Sequence, residues 1–263
     1  MTLLLIIFLG LIIFLCMVRH WPLPEKKGNF LTGKIDQSNK DAKVITIGTY
    51  NIHRARGVDG KKNLSRIASV ISSCDVVALQ EVEGNSLRNF RNQAYSLAER
   101  CGYLVHFSPS RRQLFFPHRG NALLTRFPVT EWIRKPLTPT TGKAYRNVTT
   151  YKIRLQGEII NVINTHLSKP SEQTEPLKYV LNLFLSFDRA VLLGDFNTTS
   201  LDPNLQNLLT HKVNDATALS TDDLDRIDWI LVRGLDVLSA RMEPPGASDH
   251  PFFSATLSLR AKK

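Results

Sequence analysis

The sequence predicts an α/β domain in which two packed mixed sheets carry helices on their outer faces. From residue 44 onward, short apolar runs typical of buried strands alternate with segments whose apolar residues recur at helical spacing. Two of the runs are separated only by Gln156 and Gly157, which predicts a hairpin, whereas other runs are joined through helices. Both kinds of connection together indicate mixed sheets, and 263 residues suffice for a sizeable core.

The elements follow in chain order from these patterns. VITIGTY (44–50) and DVVALQ (75–80) are continuous apolar runs, and residues 61–74 between them place Leu64, Ile67 and Ile71 on one helical face. The remaining predicted strands are 103–107, 121–126, 147–155, 158–165, 190–194, 226–232, 236–241 and 252–259, and the remaining helices are 86–100, 174–187 and 202–210. The chain has no internal repeat and no low-complexity tract.

The amino-terminal segment is apolar without interruption. Residues 2–18 read TLLLIIFLGLIIFLCMV, and a helix of this length is about 25 Å long, at the short end for a membrane span. A cleaved signal peptide is the alternative, but no Lys or Arg precedes the run and no small-x-small cleavage motif follows it. We therefore expect a transmembrane anchor over 1–19, a polar linker over 20–43 and one domain over 44–263.

The charges that flank the apolar run predict its orientation. Arg19, Lys26, Lys27 and Lys34 all lie on its carboxyl side, and only the terminal amine lies on the other side. Basic residues stay preferentially on the cytoplasmic side of a membrane span. The expectation is thus a single-pass membrane protein whose main domain faces the cytoplasm.

Composition and charge narrow the class of protein. Hydrophobic residues make up 43% and charged residues 22%, which excludes a disordered chain, a collagen and a coiled coil. The net charge is +11, and residues 44–263 alone carry 28 basic against 20 acidic residues. This surplus favours a polyanionic partner, which is nucleic acid, anionic lipid or a phosphorylated small molecule. Three scattered cysteines are too few for a disulfide framework or a zinc site.

Four apolar runs end in a polar residue that can bind a metal ion or a phosphate. These residues are Asn51, Glu81, His166 and Asp195. Strand ends that meet at one edge of a sheet are where α/β proteins place their sites. One such residue would mean only that a strand has reached the surface, but four of these chemical types predict a functional site.

Seven short blocks share the order and spacing of a known family. They are TYNIH (49–53), LQEVE (79–83), GNALLTRFP (120–128), NTHLS (164–168), LLGDFNTT (192–199), RIDWILV (226–232) and SDHPFF (248–253). Together they resemble the endonuclease/exonuclease/phosphatase superfamily, which contains deoxyribonuclease I, exonuclease III-like repair enzymes, neutral sphingomyelinases and inositol polyphosphate 5-phosphatases. The resemblance covers residues 44–260 and implies a four-layer α/β/β/α sandwich.

The resemblance implies a metal site and names its residues. Glu81 and Asn51 match the metal pair of the family, and Asp249 matches an aspartate close to the metal. Mg²⁺ prefers hard oxygen ligands and keeps several waters, so one carboxylate and one amide oxygen suffice; Mn²⁺ is the alternative cation. For Asn51, a side chain that caps the following turn is the alternative interpretation.

Five further residues match the catalytic residues of the family. They are His166, Asp195, Asn197, Asp228 and His250. In the family the matching aspartate orients the matching histidine, so Asp228 is expected to hold His250, and His166 is expected on the phosphate oxygens. Whether Asp195 or the His250–Asp228 pair takes the proton of the attacking water stays open. A capped turn is the alternative interpretation of Asp195 and Asn197.

Two more residues match the pattern of the family less closely and are expected beside the substrate. Arg146 falls where several bacterial members have an arginine that contacts phosphate, and a solvated arginine at a strand edge is the alternative. Asn121 begins a strand where the family chain passes close to the substrate, and a turn residue is the alternative.

The expected function is a membrane-anchored, Mg²⁺-dependent phosphodiesterase. The positive charge favours nucleic acid over anionic phospholipid as the substrate. The anchor favours a sphingomyelinase-like phospholipid phosphodiesterase as the alternative, and a phosphatase is a further alternative. The tryptophan-rich and Cys-Asp-Arg blocks of inositol polyphosphate 5-phosphatases are absent. The alternative from a different functional class is a non-catalytic binding protein with the same fold. The presence of all three residues Glu81, Asp195 and His250 argues against it.

Overall fold

The computed structural model describes residues 2–33, 42–86, 90–138 and 145–260. The helices in these ranges are α1 (Thr2–Val18), α2 (Leu64–Ile71), α3 (Gln93–Cys101), α4 (Thr174–Leu185) and α5 (Pro203–Leu209). The strands are β1 (His20–Pro22), β2 (Lys26–Gly28), β3 (Val44–Asn51), β4 (Val76–Glu83), β5 (Leu104–Gln113), β6 (Phe116–Thr125), β7 (Val129–Leu137), β8 (Arg146–Leu155), β9 (Glu158–His166), β10 (Ala190–Asp195), β11 (Val213–Asp215), β12 (Asp228–Arg233), β13 (Leu235–Glu243) and β14 (Phe252–Leu259).

The strands form two mixed sheets. The order of the first sheet is β1-β5-β6-β4-β3-β14-β13, and that of the second is β11-β12-β10-β9-β8-β7-β2. Each sheet has a parallel pair near its centre, β3 with β4 in the first sheet and β9 with β10 in the second, amid antiparallel neighbours. The predicted hairpin of β8 and β9 is confirmed by its register.

The inner faces of the sheets pack on each other. One hydrophobic cluster joins Ile47 and Leu123 of the first sheet to Tyr151, Val162 and Leu193 of the second, and all five are fully buried. Burial of this apolar surface is the main force that holds the two sheets together. The prediction of two packed mixed sheets is confirmed.

Each sheet also carries helices on its outer face. Ile67 of α2 and Leu97 of α3 pack with Leu79 beneath them on the first sheet. Leu177 of α4 and Leu205 of α5 lie in the corresponding cluster on the second sheet. The order of layers is therefore helix, sheet, sheet, helix, as the resemblance implies.

Several predicted boundaries differ from those observed. The helix expected over 86–100 begins only at Gln93, because Asn92 takes the N-cap position and its side chain accepts a bond from the Ala94 amide. Within that prediction, residues 87–89 lie outside the described ranges. Strand β7 has no sequence prediction, since charged residues and Pro136 interrupt its apolar pattern.

The amino-terminal helix forms, but its predicted membrane span is not supported. Among the described residues, no helix is both long enough and apolar enough to cross a membrane. Helix α1 has 17 residues, which extend about 25 Å against the roughly 30 Å of a bilayer's hydrocarbon core.

The segment predicted as a linker contributes to both sheets. His20–Pro22 pairs with β5, and Lys26–Gly28 pairs with β7. Leu31 is buried in the core between the sheets, and Thr32 bridges to Val105. Residues 34–41 of the predicted linker, which include Lys34, lie outside the described ranges. So do residue 1 of the predicted anchor and residues 261–263 of the predicted domain.

Candidate active site

Three neighbouring strands of the second sheet carry polar residues in one row. Asp195 at the end of β10 pairs with His166 on β9 and with Asp228 on β12. All three side chains are buried. Gly194 allows this row to form, because a Cβ there would lie 2.0 Å from the Thr165 carbonyl oxygen on the neighbouring strand.

The first sheet adds Asn51 from the end of β3. Its Nδ2 donates a 2.9 Å hydrogen bond to Oδ2 of Asp195, which joins the two sheets at their common edge. Its Oδ1 accepts a 3.0 Å bond from the backbone amide of His53. Asn51 thus holds the turn that follows β3, as its alternative interpretation proposed, and also contacts the predicted site.

Glu81 lies beside Asn51, at an irregular position of β4. The pairing of β4 with β6 shifts register between Leu79 and Val82, and Glu81 adopts a positive φ of 54°. A β-bulge of this kind re-aims a side chain and is frequent next to active sites. Glu81 lines a pocket of about 130 Å³ together with Ser110, Arg111, Arg119, Gly120, Asn121, Tyr145, Arg146, Asn147 and His166.

His250, in the loop before β14, closes the other side of the row. Its Nδ1 donates a 2.7 Å hydrogen bond to Oδ2 of Asp228, and its Nε2 lies 3.9 Å from Oδ2 of Asp195. Burial alone would lower the pKa of His250, but the bond to Asp228 and the charges of Asp228 and Asp195 raise it to about 9. The imidazole is therefore held as a cation at neutral pH.

Asp195 is the carboxylate that the other residues surround. Burial, followed by the negative charge of Asp228, raises the pKa of Asp195 well above that of an ordinary aspartate. Its Oδ1 accepts a 2.8 Å bond from the backbone amide of Asn197, which adopts a positive φ of 49°. The Asn197 side chain donates to the Leu167 carbonyl at 3.0 Å and lies 3.3 Å from Nε2 of His166.

His166 is neutral, and its tautomer is set by Arg146. The guanidinium of Arg146 donates to Nδ1 of His166 at 2.9 Å, so the ring proton is on Nε2, 3.3 Å from Oδ2 of Asp195. Burial, followed by the charge of Arg146, holds the pKa of His166 well below its usual range. Arg146 also donates to the Ser168 hydroxyl at 3.3 Å, so it is part of the site and not a solvated edge residue.

The two remaining predicted residues lie at the margins of this cluster. Asn121 is buried, lines the pocket beside Glu81 and donates to Oδ1 of Asn147 at 3.2 Å. Asp249 is half exposed, and its Oδ2 lies 3.0 Å from Nδ1 of His53. The structure thus brings the strand-end residues together and places Asp249 next to them with its carboxylate turned to His53.

Among the described residues at this sheet edge, two groups of side chains have donor atoms suited to a divalent cation. Donor atoms of Asp195, Asp228 and His250 lie within 4.8 Å of one another, but Asp228 and His250 are already hydrogen-bonded to each other. The Glu81 carboxylate has no hydrogen bond or ion pair to any residue in the described ranges, and the amide of Asn51 is on the adjacent strand. The oxygen atoms of Glu81 and Asn51 therefore fit a hard cation such as Mg²⁺ better than the other group does, because that group contains the cationic His250.

Arg111 and Arg119 line the same pocket as Glu81 and were not predicted as site residues from the sequence. Both lie in the hairpin of β5 and β6, opposite each other in register. The predicted strands, 103–107 and 121–126, were too short to include them. The available signal was the segment RRQLFFPHR (111–119), in which basic residues flank a turn at 114–115.

Comparison with known proteins identifies the family of the chain. A family model described as "Endonuclease/Exonuclease/phosphatase family" matches residues 48–250. The chain belongs to this family. It is accordingly a metal-dependent phosphoric ester hydrolase, and the predicted family and enzyme class are confirmed. No sequence among the curated proteins matches the chain.

Solved structures share the fold of this endonuclease/exonuclease/phosphatase family member. An endonuclease/exonuclease/phosphatase from Beutenbergia cavernae DSM 12333 is 23% identical with a TM-score of 0.68, over 83% of this chain and 72% of that one. A humanized TDP2 from D. rerio is 19% identical with a TM-score of 0.58, over 83% and 100%. The catalytic domain of human Nocturnin, with a bound sulfate anion, is 18% identical with a TM-score of 0.59, over 90% and 98%.

Proposed function

We propose that this enzyme is a Mg²⁺-dependent phosphodiesterase that cleaves nucleic acid and is held at a membrane surface. The observation that carries the proposal is the cluster at the sheet edge. There, Asn51 bonds Asp195 across the sheets, Asp228 holds His250, and Arg146 holds His166. Phosphodiester hydrolysis needs these three kinds of group, which are a proton acceptor, a cationic proton donor and a donor to the phosphate oxygens.

The metal is assigned to Glu81 and Asn51. When bound, Mg²⁺, or Mn²⁺ as its alternative, neutralises charge on the phosphate oxygens. Asn51 has a second role, because its Nδ2 fixes Asp195 at 2.9 Å. Asp249 is left with a supporting role near the cation, since its carboxylate contacts His53.

The proton roles follow from the hydrogen bonds. Asp228 keeps His250 oriented and cationic, so His250 is suited to donate to a phosphate oxygen and not to accept a proton from water. Asp195 is a buried carboxylate next to this cation and is our choice as the acceptor of the water's proton. His166 presents Nε2–H, and Asn197 at 3.3 Å from that atom is placed to contact the same phosphate.

Charge favours nucleic acid as the substrate. The domain over 44–263 has 28 basic and 20 acidic residues, and three arginines line the pocket next to Glu81. Binding to a polyanion of this kind is salt-dependent, because each neutralised phosphate releases counterions. Cleavage should therefore weaken steeply as the salt concentration rises.

Helix α1 supports attachment to a membrane and favours a second candidate substrate. Its large apolar side chains from Leu4 to Leu15 are 41% to 74% exposed, and the helix has no polar face. Exposed apolar surface of this extent marks a protein or membrane contact. The basic residues Arg19, Lys26 and Lys27 that follow favour a domain on the cytoplasmic face. A domain held there would also reach phospholipid headgroups, so a phospholipid phosphodiesterase is the second candidate.

One experiment separates the two candidates. The full chain in detergent is incubated with plasmid DNA, single-stranded DNA, RNA and vesicles of a choline phospholipid, with Mg²⁺ or with EDTA. We expect Mg²⁺-dependent, salt-sensitive cleavage of nucleic acid and no headgroup release. Headgroup release without nucleic-acid cleavage would replace the nuclease by the phospholipid phosphodiesterase. The His250→Ala variant, purified in the same way, controls for contaminating nucleases.

A further inference from the structure

The pocket beside Glu81 holds more positive charge than one phosphodiester can neutralise. Arg111 of β5, Arg119 of β6 and Arg146 of β8 line it, and Glu81 is the one acidic residue among the described residues of its lining. The surplus of two positive charges exists before any cation binds at Glu81. A phosphodiester carries a single negative charge, whereas a phosphate monoester carries about −1.5 to −2 at neutral pH.

Arg111 and Arg119 form a pair in the lining of this pocket, which does not include His250. They are cross-strand neighbours in the hairpin of β5 and β6. The two strands approach closely because residue 120 is glycine, where a Cβ would lie 2.2 Å from the Ser108 carbonyl oxygen. The hairpin thus holds Arg111 and Arg119 opposite each other, next to Gly120, where the two strands approach closely.

The Arg119 side chain carries a buried donor that suits an anion. Nε of Arg119 is buried and has no hydrogen-bond partner among the described residues. Burial, followed by the charges of Arg119 and Arg146, lowers the pKa of Arg111 to about 10. A bound anion would offset the repulsion between these arginines and would accept a hydrogen bond from Nε of Arg119.

We propose that Arg111 and Arg119 form a binding subsite for a terminal phosphate, a monoester dianion, of the nucleic-acid substrate. This inference rests on the proposed function, since the bond to be cleaved then lies at His166 and His250. Arg146 separates the two positions, because it is bonded to His166 and also lines the pocket. A monoester offers three terminal oxygens to the two guanidinium forks, whereas a diester within a chain offers two. The enzyme would then act next to phosphorylated ends.

Binding of inorganic phosphate tests the subsite without any turnover. Calorimetry is done on the full chain in detergent with EDTA, comparing the wild type with Arg111→Gln and Arg119→Gln. Loss of a charge-assisted bond should weaken phosphate binding roughly 10- to 100-fold in each. Arg112→Gln is the matched control, because Arg112 is exposed, adjacent in sequence and absent from the pocket lining. Equal weakening in all three variants, or none in any, would overturn the subsite.

A folding check keeps the binding test decisive. Circular dichroism is compared for each variant, since Arg111 and Arg119 are half-buried. Where a glutamine variant does not fold, the lysine variant replaces it. Lysine keeps the charge but loses the planar fork of donors, so phosphate binding should still weaken about threefold or more. Unchanged binding in a folded lysine variant counts against the subsite.

Kinetics on short single-stranded oligonucleotides test the substrate. Each oligonucleotide is prepared with a terminal phosphate at the 5′ end, at the 3′ end or at neither. We expect the wild type to have a KM about tenfold lower for one phosphorylated form, and Arg111→Gln and Arg119→Gln to lose this preference. A wild type indifferent to both phosphates, or variants equally weakened on all three, would overturn the proposal.

The two measurements separate failure of this inference from failure of the proposed function. If neither these oligonucleotides nor plasmid DNA nor RNA is hydrolysed, the nuclease proposal fails, and the phosphate titration still shows whether the arginines bind a phosphate. If vesicles that contain phosphatidic acid displace the bound phosphate and oligonucleotides do not, the monoester belongs to a lipid. That result would overturn the nucleic-acid assignment.

Discussion

Nδ1 of His250 lies 2.7 Å from Oδ2 of Asp228, and this hydrogen bond joins the two sheets at the site. His250 precedes β14 of the first sheet, whereas Asp228 begins β12 of the second. Asp228 is fully buried, and burial raises its pKa although the bond to His250 opposes the shift. The other oxygen of Asp228 has no partner in the described ranges, so His250 is the group that makes its burial tolerable.

Replacement of Asp228 by asparagine should affect turnover more than folding. Asp228→Asn removes the charge that orients His250 and keeps it cationic, so kcat should fall roughly 10²- to 10⁴-fold, as in His250→Ala. Added Mg²⁺ should rescue neither variant, because neither residue is assigned to the metal. Steady-state kinetics across a Mg²⁺ series measures this, with the exposed Asp222→Asn as the control for loss of one carboxylate. Near-normal turnover in His250→Ala would rule out its assignment.

Glu81 should behave differently, because its assigned role is electrostatic attraction of the cation. Glu81→Gln keeps the shape and removes the charge, so activity should fall and should recover in part at high Mg²⁺. Glu83→Gln is the matched control, since Glu83 is two residues away, outside the pocket lining, and bonded to Lys62. Isothermal titration of Mg²⁺ gives a second readout, in which only Glu81→Gln should bind more weakly. If Mg²⁺ rescues His250→Ala as fully as Glu81→Gln, the division between metal and proton roles is wrong.

The sheet core and the strand-end residues of the site could be predicted, because the local sequence patterns match the positions that these segments take in the fold. Apolar runs such as VITIGTY become central strands, and their polar terminal residues Asn51, His166 and Asp195 meet where the strands end. The parallel pairing of β3 with β4 and of β9 with β10 brings those ends to one edge. Sequence alone therefore sufficed to assemble this part of the site.

Other features were not predictable because only tertiary pairing makes them strands. HWP and KKG have no strand pattern, and they become β1 and β2 through pairing with β5 and β7. The outer half of β5 reads SPSRRQ, without apolar alternation, so the hairpin that carries Arg111 and Arg119 was missed. The bulge at Glu81 is likewise set by the pairing of β4 with β6.

Deletion of residues 1–18 should leave a folded domain that no longer binds membranes. The deletion removes the exposed apolar helix and keeps His20–Pro22, which pairs with β5. Flotation with anionic vesicles should recover the full chain with the lipid and leave the shortened protein behind. Deletion of residues 1–28 is the comparison, since it also removes β1 and β2 and should lower the melting temperature. Flotation of the shortened protein at the level of the full chain would contradict membrane attachment through α1.

His106 provides a test of the fold that is independent of the site. Its ring packs against Trp132 between the sheets, tilted by 30° with centroids 4.0 Å apart, and the Tyr151 hydroxyl donates to its Nδ1 at 2.9 Å. Burial, followed by the charges of Arg134 and Lys26, lowers the pKa of His106 to about 3. The folded protein thus keeps this histidine neutral at pH values where the unfolded chain protonates it.

The free energy of unfolding should therefore depend on pH through His106. Between pH about 6.5, the pKa of an unfolded histidine, and about 3, the unfolded chain binds a proton that the folded protein excludes. Stability is lost as the pH falls through this window, with a slope of at most about 1.4 kcal/mol per pH unit from this group. His106→Asn keeps an acceptor for Tyr151 and does not titrate. It should be less stable at pH 7, because it lacks the ring contact with Trp132, yet should lose less stability on acidification. Denaturant unfolding at pH 7, 6, 5 and 4 measures both effects, with the exposed His211→Asn as the control that keeps the wild-type slope. Equal slopes in the wild type and His106→Asn would show that His106 is not held neutral by the fold.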